Sequence, residues 1–267
     1  MLSITTDYAA GTGAPEPYLR RTAEAGFTHV HWCHQWNTDF MYTEPEIAHI
    51  EAVMGEVDLA LTDLHATVGP EKNWGSAREY ERLAGVEIVT NRIEMTARLG
   101  SDVIIMHLPG GDSDEVWPRV RASLEELQPT ASASSVRIAI ENGGSHESFD
   151  DIARVLGAFS SECVGLCYDS GHGNMFPEGL DRLEALKDRL ISIHLHDNDG
   201  TGDQHMLLFS GTTDWERLAG ILADSSYTKC VSMEVATRGH DIEDETEFLR
   251  QAHETGTRFA EMVQAAT

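Results

Sequence analysis

Side chains of the types that bind metal ions recur where apolar segments of this 267-residue sequence end. The segment IAIEN ends its apolar run at Glu141, and the segment SMEVA carries Glu234 in the same way. A carboxylate at the edge of an apolar core must be paired with a cation or bound to a metal ion. Basic residues are few nearby, so a metal ion is the simpler partner. Similar segments supply His65, His107, Asp169 with His172, and His194 with His196, and the loop GDQH supplies Asp203 and His205.

Carboxylates mixed with imidazoles favour particular metal ions. Such ligands suit Mn²⁺, Zn²⁺, Co²⁺ or Fe²⁺ better than Ca²⁺, which prefers oxygen ligands alone, and the sequence does not separate the first four. Any single histidine at a strand end can instead be a hydrogen-bonded structural residue, and the GDQH loop can simply satisfy its own turn. The coincidence of so many ligand types at equivalent positions favours a divalent-metal cofactor.

The segments that carry these residues alternate with amphipathic stretches along the whole chain. This alternation is typical of repeated βα units around a parallel sheet. The predicted strands are Leu2 to Thr6, Phe27 to Trp32, Val57 to Leu64, Asp102 to His107, Val136 to Glu141, Val164 to Asp169, Leu190 to His194 and Cys230 to Val235. The predicted helices are Pro17 to Ala25, Glu46 to Met54, Ala77 to Leu99, Val116 to Leu127, Phe149 to Phe159, Leu180 to Lys187, Trp215 to Ala223 and Glu245 to Met262.

Eight strands, each followed by a helix, predict one (β/α)8 TIM barrel, of the α/β class, spanning residues 1–267. The alternative fold is an open, doubly wound sheet. Gly11 and Gly13 follow the first strand, but Pro15 and Glu16 come next and do not complete a dinucleotide-binding fingerprint. In a barrel, active-site residues lie at the C-terminal ends of the strands, so the ligand-type side chains are expected to converge at that face.

Composition restricts the partners. A formal net charge of −26 opposes nucleic-acid binding, which depends on clusters of Lys and Arg, and it is explained by a solvated acidic surface. The longest apolar runs fall far below the roughly 20 residues of a membrane span, and the N-terminus lacks a basic signal region. We therefore expect a cytoplasmic protein without membrane or nucleic-acid partners. A homo-oligomer is compatible with the sequence, which does not specify the oligomeric state.

The four cysteines lack the paired spacing of a zinc ribbon or a disulfide framework. Buried, free thiols are the simplest interpretation. Cys163 and Cys167 stand four residues apart, which leaves a metal-binding role for this pair as the alternative.

The motifs together resemble the xylose isomerase-like TIM-barrel superfamily, which includes sugar isomerases and epimerases, inosose dehydratases and endonuclease IV-type apurinic endonucleases. The resemblance covers almost the whole chain and depends most on IAIEN, Asp169 with His172, HLHDNDGTGDQH, GTTDW and the strand ending at Glu234. It implies metal ligation by Glu141, Asp169, His194 and Glu234, with His172 near the substrate. The family spacing in HLHDN selects His194 over His196.

The resemblance to epimerase-like members implies a divalent-metal-dependent isomerase or epimerase acting on a sugar or sugar phosphate. In that chemistry Glu141 and Glu234 exchange a proton with the substrate carbon through an enediolate, and one metal ion is bound tightly. The alternatives are a lyase like inosose dehydratase and a multi-zinc phosphodiesterase like the apurinic endonucleases. The endonuclease-like members also use positions matching His65, His107, His172, Asp203 and His205. This sequence departs from their pattern at HLPGG and LLFSG.

Aromatic and basic residues in the predicted loops are candidates for substrate contact. Trp36, Trp74 and Phe176 stand in βα-loop contexts, where an apolar wall for a sugar ring is expected. His172 and Arg238 complete the predicted substrate-binding set.

Overall fold

The computed structural model describes residues 1–9, 14–111, 113–240, 242 and 244–267. Its strands are β1 (Leu2–Thr5), β2 (His29–Trp32), β3 (Ala60–His65), β4 (Val103–His107), β5 (Arg137–Glu141), β6 (Val164–Asp169), β7 (Leu190–His194) and β8 (Val231–Met233). Its α-helices are α1 (Glu16–Glu24), α2 (Glu44–Glu56), α3 (Glu79–Arg98), α4 (Ser113–Ala133), α5 (His146–Ala158), α6 (Ser170–Asn174), α7 (Gly179–Leu186), α8 (Trp215–Ala223) and α9 (Glu245–Ala266).

The eight strands form one parallel sheet that closes on itself. Their order is β7-β6-β5-β4-β3-β2-β1-β8, with β1 paired to both β2 and β8. The two remaining edges meet through Leu195, whose N–H donates to the Ser232 carbonyl at 2.9 Å and whose carbonyl accepts from the Glu234 N–H at 2.9 Å. The predicted (β/α)8 barrel is confirmed.

Several element boundaries differ from the sequence prediction for local reasons. Helix α2 begins at Glu44 because Thr43 and Glu46 form a capping box, and it runs on to Glu56. Asp58 then adopts a left-handed conformation, with φ of 57°, and delays the start of β3 to Ala60. Helix α6 was not predicted. It begins because the Asp169 side chain accepts a hydrogen bond from the His172 N–H at 2.6 Å.

The barrel interior has an apolar half and a polar half. The apolar half is a buried cluster of its own, formed by Val103, Ile105, Ala139, Cys167 and Ile191. The polar half is built from Asp63 on β3 and from polar residues of β1, β2, β7 and β8. Side chains alternate between the two faces of a strand, so these residues point into the barrel. These residues, all 0% exposed, are Ser3, His31, Asp63, Ser192 and Ser232. A polar layer therefore lies beneath the C-terminal mouth on one side.

The cysteines are free, as predicted. Cys163 is half-buried and accepts a hydrogen bond from the Gln128 side chain at 3.2 Å, whereas Cys167 lies inside the barrel. The two thiols therefore face different surroundings. Within the described part of the chain, none of the helices has the length and apolar character that a membrane span requires.

Candidate metal centre

The four predicted metal ligands come together at the C-terminal mouth. Glu141, Asp169, His194 and Glu234 each present one ligand atom, and these atoms all lie within 4.8 Å of one another. Nδ1 of His194 lies 3.2 Å from Oε2 of Glu141 and 2.9 Å from Oε2 of Glu234. The residues end β5, β6 and β7 or directly follow β8, so the barrel closure itself brings them together. We call these four residues the central cluster.

Unpartnered atoms in the central cluster fit a bound cation. Oε2 of Glu141 and Nδ1 of His194 are buried and close to each other, but the orientation of their groups gives neither atom a hydrogen bond to any described residue. Leaving such a group unpaired costs about 1–3 kcal/mol, more when it is charged. A divalent ion between the facing atoms would satisfy both of them. Three carboxylates and one imidazole form a donor set that suits Mn²⁺, Zn²⁺, Co²⁺ or Fe²⁺.

The charges in the central cluster depend on one another. Burial alone would raise the pKa of Glu141, but His107 and His194 outweigh it and hold that pKa well below its usual range. Burial opposes protonation of His194, but its anionic neighbours, Glu141 and Glu234 among them, raise its pKa well above the usual value. In the metal-free protein at neutral pH, Glu141 and Glu234 are therefore ionised and His194 carries a proton.

Metal uptake is therefore expected to release protons. Because the pKa of His194 is raised, the ring is protonated at pH 7 without metal, and the ion must displace a proton to reach Nδ1. The apparent metal affinity should rise as the pH increases towards that raised pKa. Calorimetric titration at pH 7 in two buffers of different ionisation enthalpy measures the release. We expect about one proton or more per ion. A heat that does not depend on the buffer would contradict this charge state.

A second group of ligand atoms, the first flank, lies beside the central cluster. His65, His107 and Glu141 form it, with the two Nε2 atoms 3.1 Å apart and each 3.6 Å from Oε2 of Glu141. The Nδ1 of His65 donates to the Ala66 carbonyl at 2.9 Å, because a carbonyl can only accept. Burial lowers the pKa of His65 to about 3, so its ring is neutral and its Nε2 lone pair is available.

A third group, the second flank, lies on the other side. His196, Asp203 and His205 form it, and Nε2 of His205 lies 3.1 Å from Oδ2 of Asp203. Nε2 of His196 lies 3.1 Å from Oδ1 of Asp169, and its ring stacks on that of His205 at 4.3 Å. His172 connects this flank to the central cluster, because its Nε2 lies 3.6 Å from Asp203 and its Nδ1 lies 3.9 Å from Glu141.

The predicted substrate wall is only partly assembled at the mouth. The ring of Trp36 lies 4.8 Å from that of His65 and 5.9 Å from that of His107, so it covers the first flank. Trp74 is 1% exposed and belongs to the hydrophobic core, where it cannot contact a substrate. Phe176 lines a cavity of about 410 Å³, and Arg238 is exposed in the turn after β8.

Three buried residues next to the ligands were absent from the predicted site set. They are His31 and Asp63, in the polar layer beneath the central cluster, and His196, which contacts Asp169. A signal for Asp63 was present in the sequence. Asp63 stands two residues before His65 in TDLHA, and side chains two apart on a strand share one face. The same spacing relates His194 and His196.

The fold and this site define a (β/α)8 barrel that collects carboxylates and imidazoles at the C-terminal ends of its strands. The chain belongs to the xylose isomerase-like TIM-barrel family, whose model matches residues 19–252. It is 29% identical over 273 residues to the uncharacterised protein y4fM of Sinorhizobium fredii, covering 91% of this chain and 88% of that one.

Two further comparisons give one curated relative and one solved structure of similar fold. The chain is 31% identical over 199 residues to a probable endonuclease 4 of Mycobacterium ulcerans, covering 67% of this chain and 74% of that one. The structure is similar to that of D-psicose 3-epimerase with D-tagatose from Clostridium cellulolyticum H10, with a TM-score of 0.78 and 18% identity. That match covers 98% of this chain and 99% of the epimerase, and at such low identity it shows a shared fold.

Proposed function

We propose that this protein is a divalent-metal-dependent isomerase or epimerase of a sugar or sugar phosphate. The observation that carries the proposal is the pair of carboxylates Glu141 and Glu234, which approach the same nitrogen of His194 from strands three positions apart around the barrel. Solved structures of similar fold include a D-tagatose 3-epimerase-like protein and L-ribulose 3-epimerase, which supports this choice of chemistry.

The two carboxylates divide the proton transfer between them. Both have a lowered pKa because nearby histidines outweigh the effect of burial, so both are ionised in the metal-free protein. One ionised carboxylate removes the proton beside the substrate carbonyl to give an enediolate, and the other, after taking up a proton from solvent, returns a proton to the opposite face of that carbon. An ion held by the central cluster would stabilise negative charge on the substrate oxygens.

His172 is placed to hold a substrate oxygen. Its Nδ1 donates to the Asn142 carbonyl at 2.8 Å, which fixes the ring. Burial opposes its charge, but Asp169 and Asp203 outweigh this and raise its pKa well above the usual value. The ring therefore carries a proton at Nε2 that it can donate. Trp36, half-buried over the first flank, would offer the apolar face that a sugar ring needs.

A second candidate function is the hydrolysis of a phosphodiester by several metal ions. It is favoured by the two flanks, which place ligand atoms on both sides of the central cluster. The first flank shares Glu141 with the central cluster, and His172 connects the second flank to it. The endonuclease 4 relative supports it as well. Charge opposes it, because a net charge of −26 repels a phosphodiester backbone. Arg78, an exposed cation in the loop before α3, is already paired with Glu81 at 2.8 Å.

A substrate panel in deuterated water tests the proposed function. The panel contains free ketoses, sugar phosphates, inososes and an oligonucleotide with an abasic site. We expect at least one sugar to take up solvent deuterium at the carbon beside its carbonyl while it is converted to an isomer or epimer. Cleavage of the abasic oligonucleotide without deuterium uptake by any sugar would contradict the isomerase proposal and select the hydrolase.

Binding to duplex DNA is expected to be weak at physiological salt. The net charge of −26 repels the phosphate backbone, and few cations are available to replace its counterions. Fluorescence anisotropy with matched intact and abasic duplexes, at two salt concentrations, measures this directly. We expect no preference for the abasic duplex. A tight, salt-sensitive complex with the abasic duplex alone would overturn this prediction.

A further inference from the structure

We propose that Asp63 is a positioning residue for the metal centre, because it orients His194 from beneath so that Nδ1 faces the central cluster. This inference deepens the proposed function and rests on metal binding by the central cluster. Asp63 lies on β3, which contributes none of the four central ligands, so its role is separate from ligation.

The two nitrogens of His194 face different partners. Nδ1 is the atom that approaches Glu141 and Glu234, at 3.2 and 2.9 Å. Nε2 lies 3.8 Å from Oδ1 of Asp63, an anion in the layer below, at a distance that gives charge attraction but no hydrogen bond. A neutral imidazole carries one proton, and a carboxylate near Nε2 favours the form with that proton on Nε2. This form leaves the Nδ1 lone pair directed at the metal position.

Asp63 is itself held in place from two directions. Nδ1 of His31 lies 2.5 Å from Oδ1 of Asp63, and the Ser192 hydroxyl donates to Oδ2. Ser192 belongs to β7, on the opposite side of the barrel from β3, so the contact spans the interior. All three residues are 0% exposed. The carboxylate therefore has little freedom to rotate away from His194.

His31 also packs against His194 and lies close to a second ligand, Glu234. Its ring centroid lies 4.1 Å from that of His194, and one of its nitrogens lies within 4.8 Å of ligand atoms of His194 and Glu234. Since Nδ1 of His31 is engaged by Asp63, the position of this ring also depends on that carboxylate. Loss of the Asp63 charge would therefore loosen the support of His194 on two sides.

The test is metal affinity, which a purely structural role for Asp63 would not change in the folded protein. Parent and Asp63→Asn proteins are stripped of metal and titrated with Zn²⁺ against a competing chelator. Outer residues that orient a metal-bound histidine typically change affinity by about 10- to 100-fold, and we expect a loss in that range. Visible absorption of the Co²⁺-loaded proteins provides a second reading, because a reoriented His194 changes the ligand geometry.

Ser232→Ala is the matched control. Ser232 lies in the same polar layer with 0% exposure, and its hydroxyl has no hydrogen-bond partner among the described residues. We expect this variant to keep the parent affinity and spectrum. Ser192→Ala removes only one donor to Asp63, so a smaller loss is expected, and it supplies the test if Asp63→Asn does not fold.

The outcomes separate this inference from the function on which it rests. If Asp63→Asn keeps the parent affinity and Co²⁺ spectrum, the role of Asp63 is overturned and the metal centre is not. If Asp63→Asn does not fold, the same result in Ser192→Ala overturns that role. A parent protein that binds neither ion would overturn the metal centre, and this inference with it.

Discussion

Replacing Glu141 or Glu234 with glutamine is expected to leave a folded protein that has lost turnover. Each carboxylate would both bind the metal ion and exchange a proton, and glutamine can do neither well. Removing a general acid or base typically costs 10²- to 10⁴-fold, so we expect a loss of about 10²-fold or more in each variant. The measurement is turnover of whichever sugar the panel identifies, together with exchange of its proton with solvent.

A matched control separates this effect from a general loss of charge. Glu87 is exposed on α3, away from the strand ends, and Glu87→Gln removes the same charge from the surface. This control is expected to keep the parent activity. Retained turnover in Glu141→Gln or Glu234→Gln would show that the residue has no such dual role.

The parts of this protein that sequence predicts well are those fixed by local pattern. Alternating strand and helix patterns predict the barrel, and in a barrel a polar residue that ends an apolar run must lie at the mouth. Glu141, Asp169 and His194 satisfy this rule as the last residues of β5, β6 and β7. Their convergence follows from the closure of the sheet and does not require any contact to be known in advance.

The features that sequence analysis missed depend on contacts between distant segments. Asp63 is held by Ser192, which is 129 positions away in the chain, and no periodicity connects the two. Trp74 stands in a loop, yet it is buried because Gly85 on α3 lets the loop backbone pack against the helix. A Cβ at Gly85 would lie 2.2 Å from the backbone nitrogen of Trp74. Helix α6 has only five residues, too few to give a periodic pattern.

The second large effect concerns the number of metal ions, and it is an electrostatic prediction. The central cluster offers three carboxylates to the first dication, which attract it strongly. The first flank adds only His65 and His107 to the shared Glu141, and the second flank adds one new carboxylate, Asp203. The charge of the first ion opposes a second unless further anions compensate. One tightly bound ion is expected, with any other bound more weakly.

Metal stoichiometry after exhaustive dialysis tests the metal centre most directly. Elemental analysis should find one equivalent in the parent, almost none in His194→Ala, and one in both His65→Ala and His107→Ala, because the last two residues lie outside the central cluster. No bound metal in the parent would contradict the account. So would two or more equivalents in the parent that are lost on replacing either His65 or His107, a result that favours a multinuclear site built for hydrolysis.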